Sequence, residues 1–404
     1  MTLAWSTTAA QIKVSLCTMA STGSFYKPEL DVLRFCAFLM VFAFHIHGVF
    51  PNRLAFLPEA GDAGVQVFFV LSSYLIGELL LREREATGRV HLKKFYFRRV
   101  LRIWPVYFAI VFGAFGYSLL SGDGSFTPHA LAAFVCLGGN LYIAAAGYGI
   151  PDVLAALWTI SIEEQFYLLA PFVWSRGSKR GAMVFSLLTI AGAYLILVLH
   201  FFHGGDDQHV WYSSLVQFQY FGFGMLLALV LHGRTISLRR WMRAGLLLLA
   251  GTCFTSSQSV FHLRTFPAGW HTCAGYLSLG IGACSVLVAF LGWNRLAQRR
   301  WLIYLGRISY GLYAYHLLAK GILDRASASF APRVVALPHG YWIFEYAFFI
   351  TTLGATICLA ALSYRFLELP FLRLKQRVGF VRSQPVSVEP AVSDFRNLEL
   401  NTGN

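Results

Sequence analysis

Charge is scarce in this sequence: Asp, Glu, Lys and Arg make up 13% of its 404 residues, about half the share a soluble domain carries. Acidic residues are the scarcer kind, 19 against 33 Lys and Arg. With 57% hydrophobic residues and a mean hydropathy of +0.58, a water-soluble globular domain is excluded and a polytopic membrane protein expected. Paired cysteine motifs are missing too. The seven cysteines (Cys17, Cys36, Cys136, Cys253, Cys273, Cys284 and Cys358) are odd in number, scattered, and form no C-x-x-C. That excludes a disulfide framework and a zinc site, leaving small apolar packing residues and no expected metal. Residues 1–24 lack the charged start, apolar core and cleavage site of a signal peptide. No nucleic-acid motif accompanies the formal charge of +14. The basic residues cluster in short segments between apolar runs, which is the distribution of cytoplasmic loops and points to no nucleic-acid partner.

What is present is a series of eleven apolar segments, near 30–50, 62–81, 100–120, 128–146, 153–174, 181–202, 210–231, 244–262, 270–292, 306–326 and 341–365. A span needs about 20 apolar residues. If all eleven cross, basic loops fall on opposite sides of the membrane. The segment 128–146, broken by Gly138, Gly139, Asn140 and Gly147, is the weakest. Leaving it uncrossed on the outer side puts 23 Lys and Arg in the inner loops and 5 in the outer ones, as the positive-inside rule requires. The expected fold is an all-α polytopic membrane protein with about ten transmembrane helices and cytoplasmic N- and C-termini. Residues 1–24 are a polar cytoplasmic tail, 25–376 the membrane domain and 377–404 a disordered cytoplasmic tail.

Several spans carry ionisable groups, which are costly in lipid and face a protein interior or a cavity. In "DVLRFCAFLMVFAFHIHGVF", Arg34 and His45 are eleven positions apart, about three turns and roughly 16 Å along one face. They form a polar seam, unless Arg34 snorkels to the surface; His47 lies on another face. In "FYFRRVLRIWPVYF", Arg99 and Arg102 share a face at the cytoplasmic edge. Two guanidinium forks suit a phosphate-rich ligand, although ordinary positive-inside charge has the same spacing. "LWTISIEEQFYLLAPF" places Glu163 and Glu164 in an apolar helix at a depth similar to His45. Adjacent residues point about 100° apart, so one of the two faces a cavity. In "LGRISYGLYAYHLL", Ser309, Tyr313 and His316 share a face and either line that cavity or pack against a neighbour. Glu368 and Pro370 in "YRFLELPFLRLK" read as a helix terminus.

Six pieces, in order, resemble the acyltransferase-3 family of bacterial integral-membrane O-acyltransferases: "KPELDVLRFCAFLMVFAFH", "GVQVFFVLSSYLIGELLL", "FYFRRVLRIWPVYF", "LWTISIEEQFYLLAPF", "LGRISYGLYAYHLL" and "FLELPF". The resemblance runs from about Tyr26 to Lys375. It implies a ten-helix domain in the bacterial cytoplasmic (inner) membrane that transfers an acyl group, usually acetyl, from cytoplasmic acyl-CoA (acetyl-CoA). The acceptor is a hydroxyl of a surface polysaccharide, lipopolysaccharide or other glycolipid. The family's functional arginine and histidine fall on Arg34 and His45, its paired arginines on Arg99 and Arg102, and its acidic motif on Glu163 and Glu164. Ser73 stands where the family usually has glycine. Many members continue into an extracytoplasmic hydrolase-like domain. Here about thirty polar residues follow the last span, so the membrane domain or a separate extracytoplasmic partner is expected to handle the acceptor.

On this reading Arg99 and Arg102 hold donor phosphates. Arg34 holds the pantetheine or diphosphate, or stabilises the thioester oxygen. His45 is general base, or is itself acylated as a relay, and Glu163 or Glu164 orients its imidazole. A transporter or exporter with a polar path is the rival reading; it also explains intramembrane charge but explains paired arginines at the inner mouth less well.

Overall fold

The computed structural model describes residues 25–46, 56–147, 149–176, 178–203, 207–263 and 269–376. His47 and both tails, 1–24 and 377–404, lie outside the described residues. Lys27–Val378 is a single unit, and every element described in it is helical. Among its helices are α1 (Pro28–His45), α2 (Gly64–Thr87), α3 (Leu92–Ser121), α4 (Pro128–Val135), α5 (Gly139–Ala146), α6 (Trp158–Arg176), α7 (Lys179–His203), α8 (Ser214–Leu231), α9 (Arg240–Ser259), α10 (Trp270–Phe290), α11 (Ser309–Ser327) and α12 (Gly340–Ser363).

Seven of these (α2, α3, α6, α7, α8, α10 and α12) are long and apolar enough to cross a membrane. Helices α1, α9 and α11 have 18, 20 and 19 residues but fall outside that set. The first and third carry charges within them: Glu29, Asp31 and Arg34 in α1, and Lys320, Asp324 and Arg325 in α11. Helix α9 ends in the polar run Thr255–Ser259. The outer face of the bundle is apolar: Leu120, Phe202, Leu248 and Ile350 are more than two-thirds exposed. So many exposed large side chains suit lipid and not water.

The segment 128–146 is two helices of eight residues each, each too short to cross. Thr127 caps the first by accepting the Ala130 N–H at 3.2 Å. The break falls at Leu137, whose φ is +58°. Its freed carbonyl is taken by Gln165 Nε2 at 2.8 Å, which also donates to Asn140 Oδ1 at 3.0 Å. Asn140 Nδ2 then donates to Ser214 Oγ and the Tyr212 carbonyl, both at 2.9 Å, and Ser214 returns to Gln165 Oε1 at 2.5 Å. A closed polar ring thus pins the broken segment to α6 and α8 and satisfies the Leu137 carbonyl at the break. Gln165, noticed in the sequence beside two glutamates, works in this ring.

Helix contacts follow the small residues. Ser73 and Gly77 on α2 face Gly224 and Ala228 on α8, both pairs four apart. A Cβ on Gly224 would lie 2.0 Å from Ser73 Oγ and 2.2 Å from the Val70 carbonyl; one on Gly77 would lie 2.7 Å from Ala228 Cβ. Without a hydrophobic drive between helices in lipid, such close backbone approach supplies the packing energy. Ser73, unusual for its position, fits because its hydroxyl donates back to Phe69 and Val70 carbonyls and meets a glycine. The Phe221 ring then stacks on Phe69 (4.7 Å) and Phe166 (4.4 Å), joining α2, α6 and α8. Helix α1 packs on α2 and α11, so its polar residues face protein.

Candidate active site

Helices α1, α2, α3, α6 and α11 meet around an open cavity. Three guanidiniums line it: Arg34 from α1, and Arg99 and Arg102 from α3. Arg34 Nη1 pairs with Asp31 Oδ1 at 2.5 Å, one turn back on its own helix. The two α3 arginines differ. Among the described residues neither makes a hydrogen bond or an ion pair. Arg99 lies over the Tyr167 ring, 4.7 Å from its centroid, and 5.7 Å from that of Phe95, so aromatic faces hold the cation while its N–H groups remain unspent. Two guanidiniums one helical turn apart, with no ion pair among the described residues, have the donor geometry that suits an anion with several oxygens.

The facing wall comes from α6 and α2. Glu163 lines the cavity, and its Oε1 accepts from both the Ser72 hydroxyl and the Tyr167 phenol, whose oxygens are 2.5 Å apart. Glu164 points elsewhere, as the 100° step between neighbours dictates: its Oε2 accepts from Trp104 Nε1 at 3.0 Å. Ser309 and Tyr313 of α11 line the cavity, along with Tyr310 and Thr159. The Tyr313 hydroxyl is tied to α6 by Thr159 Oγ1 at 2.9 Å.

His45 and His316 do not line this cavity. They lie side by side beyond Tyr313, with ring centroids 4.9 Å apart, and His316 Nε2 is 3.2 Å from His45 Nδ1. His316 therefore occupies the place against His45 that the sequence suggested for a glutamate, while Glu163 and Glu164 are engaged by hydroxyls and an indole. Ser72 and Tyr167 were missed in the sequence. Tyr167 had a readable signal, since it stands four positions after Glu163 and so on the same face. Ser72 had none beyond its place in the second motif.

The acyltransferase domain model of the acyltransferase-3 family matches residues 27–365. The chain belongs to that family. The cavity arginines, Glu163 and the histidine pair all lie within the matched residues. Acyltransferase-3 relatives include the peptidoglycan O-acetyltransferase OatA of Listeria monocytogenes, 26% identical over 88% of this chain. The "Putative O-acetyltransferase SAS0844" of Staphylococcus aureus is 26% identical over 86% of it. In each case the match covers 57% of the relative, so the chain spans little more than half the length of these relatives. No solved structure matches the chain.

Proposed function

We propose that this acyltransferase-3 domain is a membrane O-acyltransferase that moves an acyl group, acetyl in the first instance, from cytoplasmic acyl-CoA to a carbohydrate hydroxyl on the outer side. The observation that carries the proposal is the pair Arg99 and Arg102, lining a cavity and making no hydrogen bond or ion pair among the described residues. Coenzyme A offers phosphate oxygens of the kind those forks bind. Arg34, already paired with Asp31, lines the same cavity and is assigned the pantetheine, the diphosphate or the thioester oxygen. Glu163 fixes the hydroxyls of Ser72 and Tyr167 on the facing wall. His45 accepts the acceptor's proton, a role suited to a side chain whose ordinary pKa is near neutrality.

The topology of this reading is ten spans: the seven apolar helices plus α1, α9 and α11, with both termini cytoplasmic and α4–α5 on the outer side. The lysine and arginine distribution supports it. Arg99 and Arg102 then open to the cytoplasm, and His45 lies toward the outside, in the cytoplasmic membrane of a bacterium. The acceptor is a surface polysaccharide or lipid-linked glycan. The name of the Listeria relative adds peptidoglycan to the acceptors to be assayed. The test is thiol release from acetyl-CoA by purified protein with soluble peptidoglycan fragments and short surface oligosaccharides, together with mass spectrometry of surface glycans from cells with and without the gene. A glycan mass difference that disappears with the gene supports acyl transfer; an unchanged glycan profile with no thiol release overturns it.

A further inference from the structure

Two backbone carbonyls fix the protons of the histidine pair. His316 Nδ1 lies 2.6 Å from the Tyr313 carbonyl. A carbonyl only accepts, so the proton is on Nδ1 and the neutral ring carries its lone pair on Nε2. That lone pair faces His45 Nδ1 at 3.2 Å. His45 Nδ1 is also 2.9 Å from the Val41 carbonyl, one turn back on α1. These two neighbours both accept, which places a proton on His45 Nδ1 and, in the neutral ring, the lone pair on Nε2.

From this chain we infer that His316 is the positioning residue of the acyl-transfer base: it holds His45 in the tautomer whose Nε2 takes the acceptor's proton. The inference rests on the reading of His45 as base. As Nε2 gains a proton, His45 becomes an imidazolium and its Nδ1–H bond to His316 Nε2 becomes charge-assisted and stronger. A buried carboxylate does this work in acyl-transfer triads; here a neutral imidazole does it, with no second charge to desolvate. The Val41 carbonyl also favours this tautomer, but it lies on the same helix as His45, whereas His316 reaches the same nitrogen from α11 and so ties the ring to a second helix. His316 is fully buried, its ring is packed edge-on against Phe38 (6.3 Å), and it is anchored to the backbone of Tyr313, a residue of the cavity wall. The donor cavity and the base are thereby coupled through one turn of α11.

The experiment uses membranes carrying the full chain with their endogenous acceptor, radiolabelled acetyl-CoA as donor, and alkali-labile label on glycan as readout. At matched protein levels, His316→Phe is expected to lower Vmax about 100-fold with the KM for acetyl-CoA unchanged, because only the proton step is touched. That is less than the roughly 10⁴-fold loss seen when a charged triad partner is neutralised. His316→Gln, whose Oε1 stands near the lost Nε2 and accepts from His45, is expected to stay within about tenfold of wild type. Vmax within about threefold of wild type in His316→Phe overturns the inference, as does a Gln variant no better than Phe. His45→Ala separates the two levels: full activity there sinks the base reading itself. Selective ¹⁵N-histidine NMR, with the His45 signal assigned by its loss in His45→Ala, reads the tautomer whether or not the Phe variant folds. A neutral His45 protonated on Nδ1 supports the inference; one protonated on Nε2 refutes it.

Discussion

Three arginines line one cavity, yet removing them is expected to have two different consequences. Arg102→Ala takes away a guanidinium with no hydrogen bond or ion pair among the described residues, so nothing in the protein loses a hydrogen bond. What is lost is the contact with donor phosphate, worth about 1.5–3 kcal/mol for a charge-assisted bond. That corresponds to an acetyl-CoA Kd weakened roughly 10- to 100-fold, with a loss of stability smaller than that of Arg34→Ala, from the longer-range attraction to the buried Glu368. Arg99→Ala gives the same loss of affinity plus a small loss of stability, about 0.5–1 kcal/mol, from the cation–π contact over Tyr167. Arg34→Ala differs in kind. Its partner Asp31 has a side chain only 3% exposed, so stripping away the guanidinium lowers stability as well as donor affinity. Asp31→Asn in the same chain restores part of that stability without restoring donor affinity. The assay is isothermal titration of acetyl-CoA into detergent-purified protein, paired with thermal unfolding, at two salt concentrations, since phosphate contacts weaken with salt. If Arg99→Ala and Arg102→Ala each changed Kd less than threefold, or unfolded the protein as Arg34→Ala does, the donor-site assignment would be wrong.

Other outcomes follow from the same geometry. Glu163→Ala frees the Ser72 and Tyr167 hydroxyls from the cavity wall and is expected to cut turnover at least tenfold. Glu164→Gln keeps an acceptor for Trp104 and should stay within about threefold, so equal losses in the two would contradict the assigned facing. Gly224→Ala forces a Cβ onto Ser73 and the Val70 carbonyl, and overpacking of this kind costs about 1–3 kcal/mol; an unchanged unfolding temperature would show that α2 and α8 are not in close contact. Gln165→Ala orphans the Leu137 carbonyl and Asn140, at about 1–3 kcal/mol, and should lower stability more than donor affinity. A topology reporter fused at Gly147 should read the outer side, and cytoplasmic signal there would overturn the ten-span arrangement.

The helical architecture was legible because each apolar run is nearly as long as a bilayer is thick and is punctuated by charge. The break in 128–146 was legible because glycines cluster there; the ring of Gln165, Asn140 and Ser214 that holds it was not, since it joins residues 25 to 74 positions apart. Arg34, Arg99, Arg102, Glu163, Ser309 and Tyr313 were marked by the cost of a polar group in an apolar helix and by spacing on a face. The sequence could not say that His45 faces His316: that contact spans 271 positions and depends on how α1 and α11 are rotated. Nor could it separate Glu163 from Glu164, because the 100° step leaves the absolute orientation of α6 undetermined until Trp104 and Ser72 are in place.

The most direct test of the central claim puts donor and acceptor on opposite faces of a sealed membrane. Proteoliposomes with the cytoplasmic face outward receive acetyl-labelled acetyl-CoA outside and enclose soluble peptidoglycan fragments or surface oligosaccharides. The account predicts thiol released outside, alkali-labile label on the enclosed glycan, no coenzyme A inside, and loss of transfer in His45→Ala. Intact acetyl-CoA accumulating inside without thiol release, or undiminished transfer by His45→Ala, would contradict it.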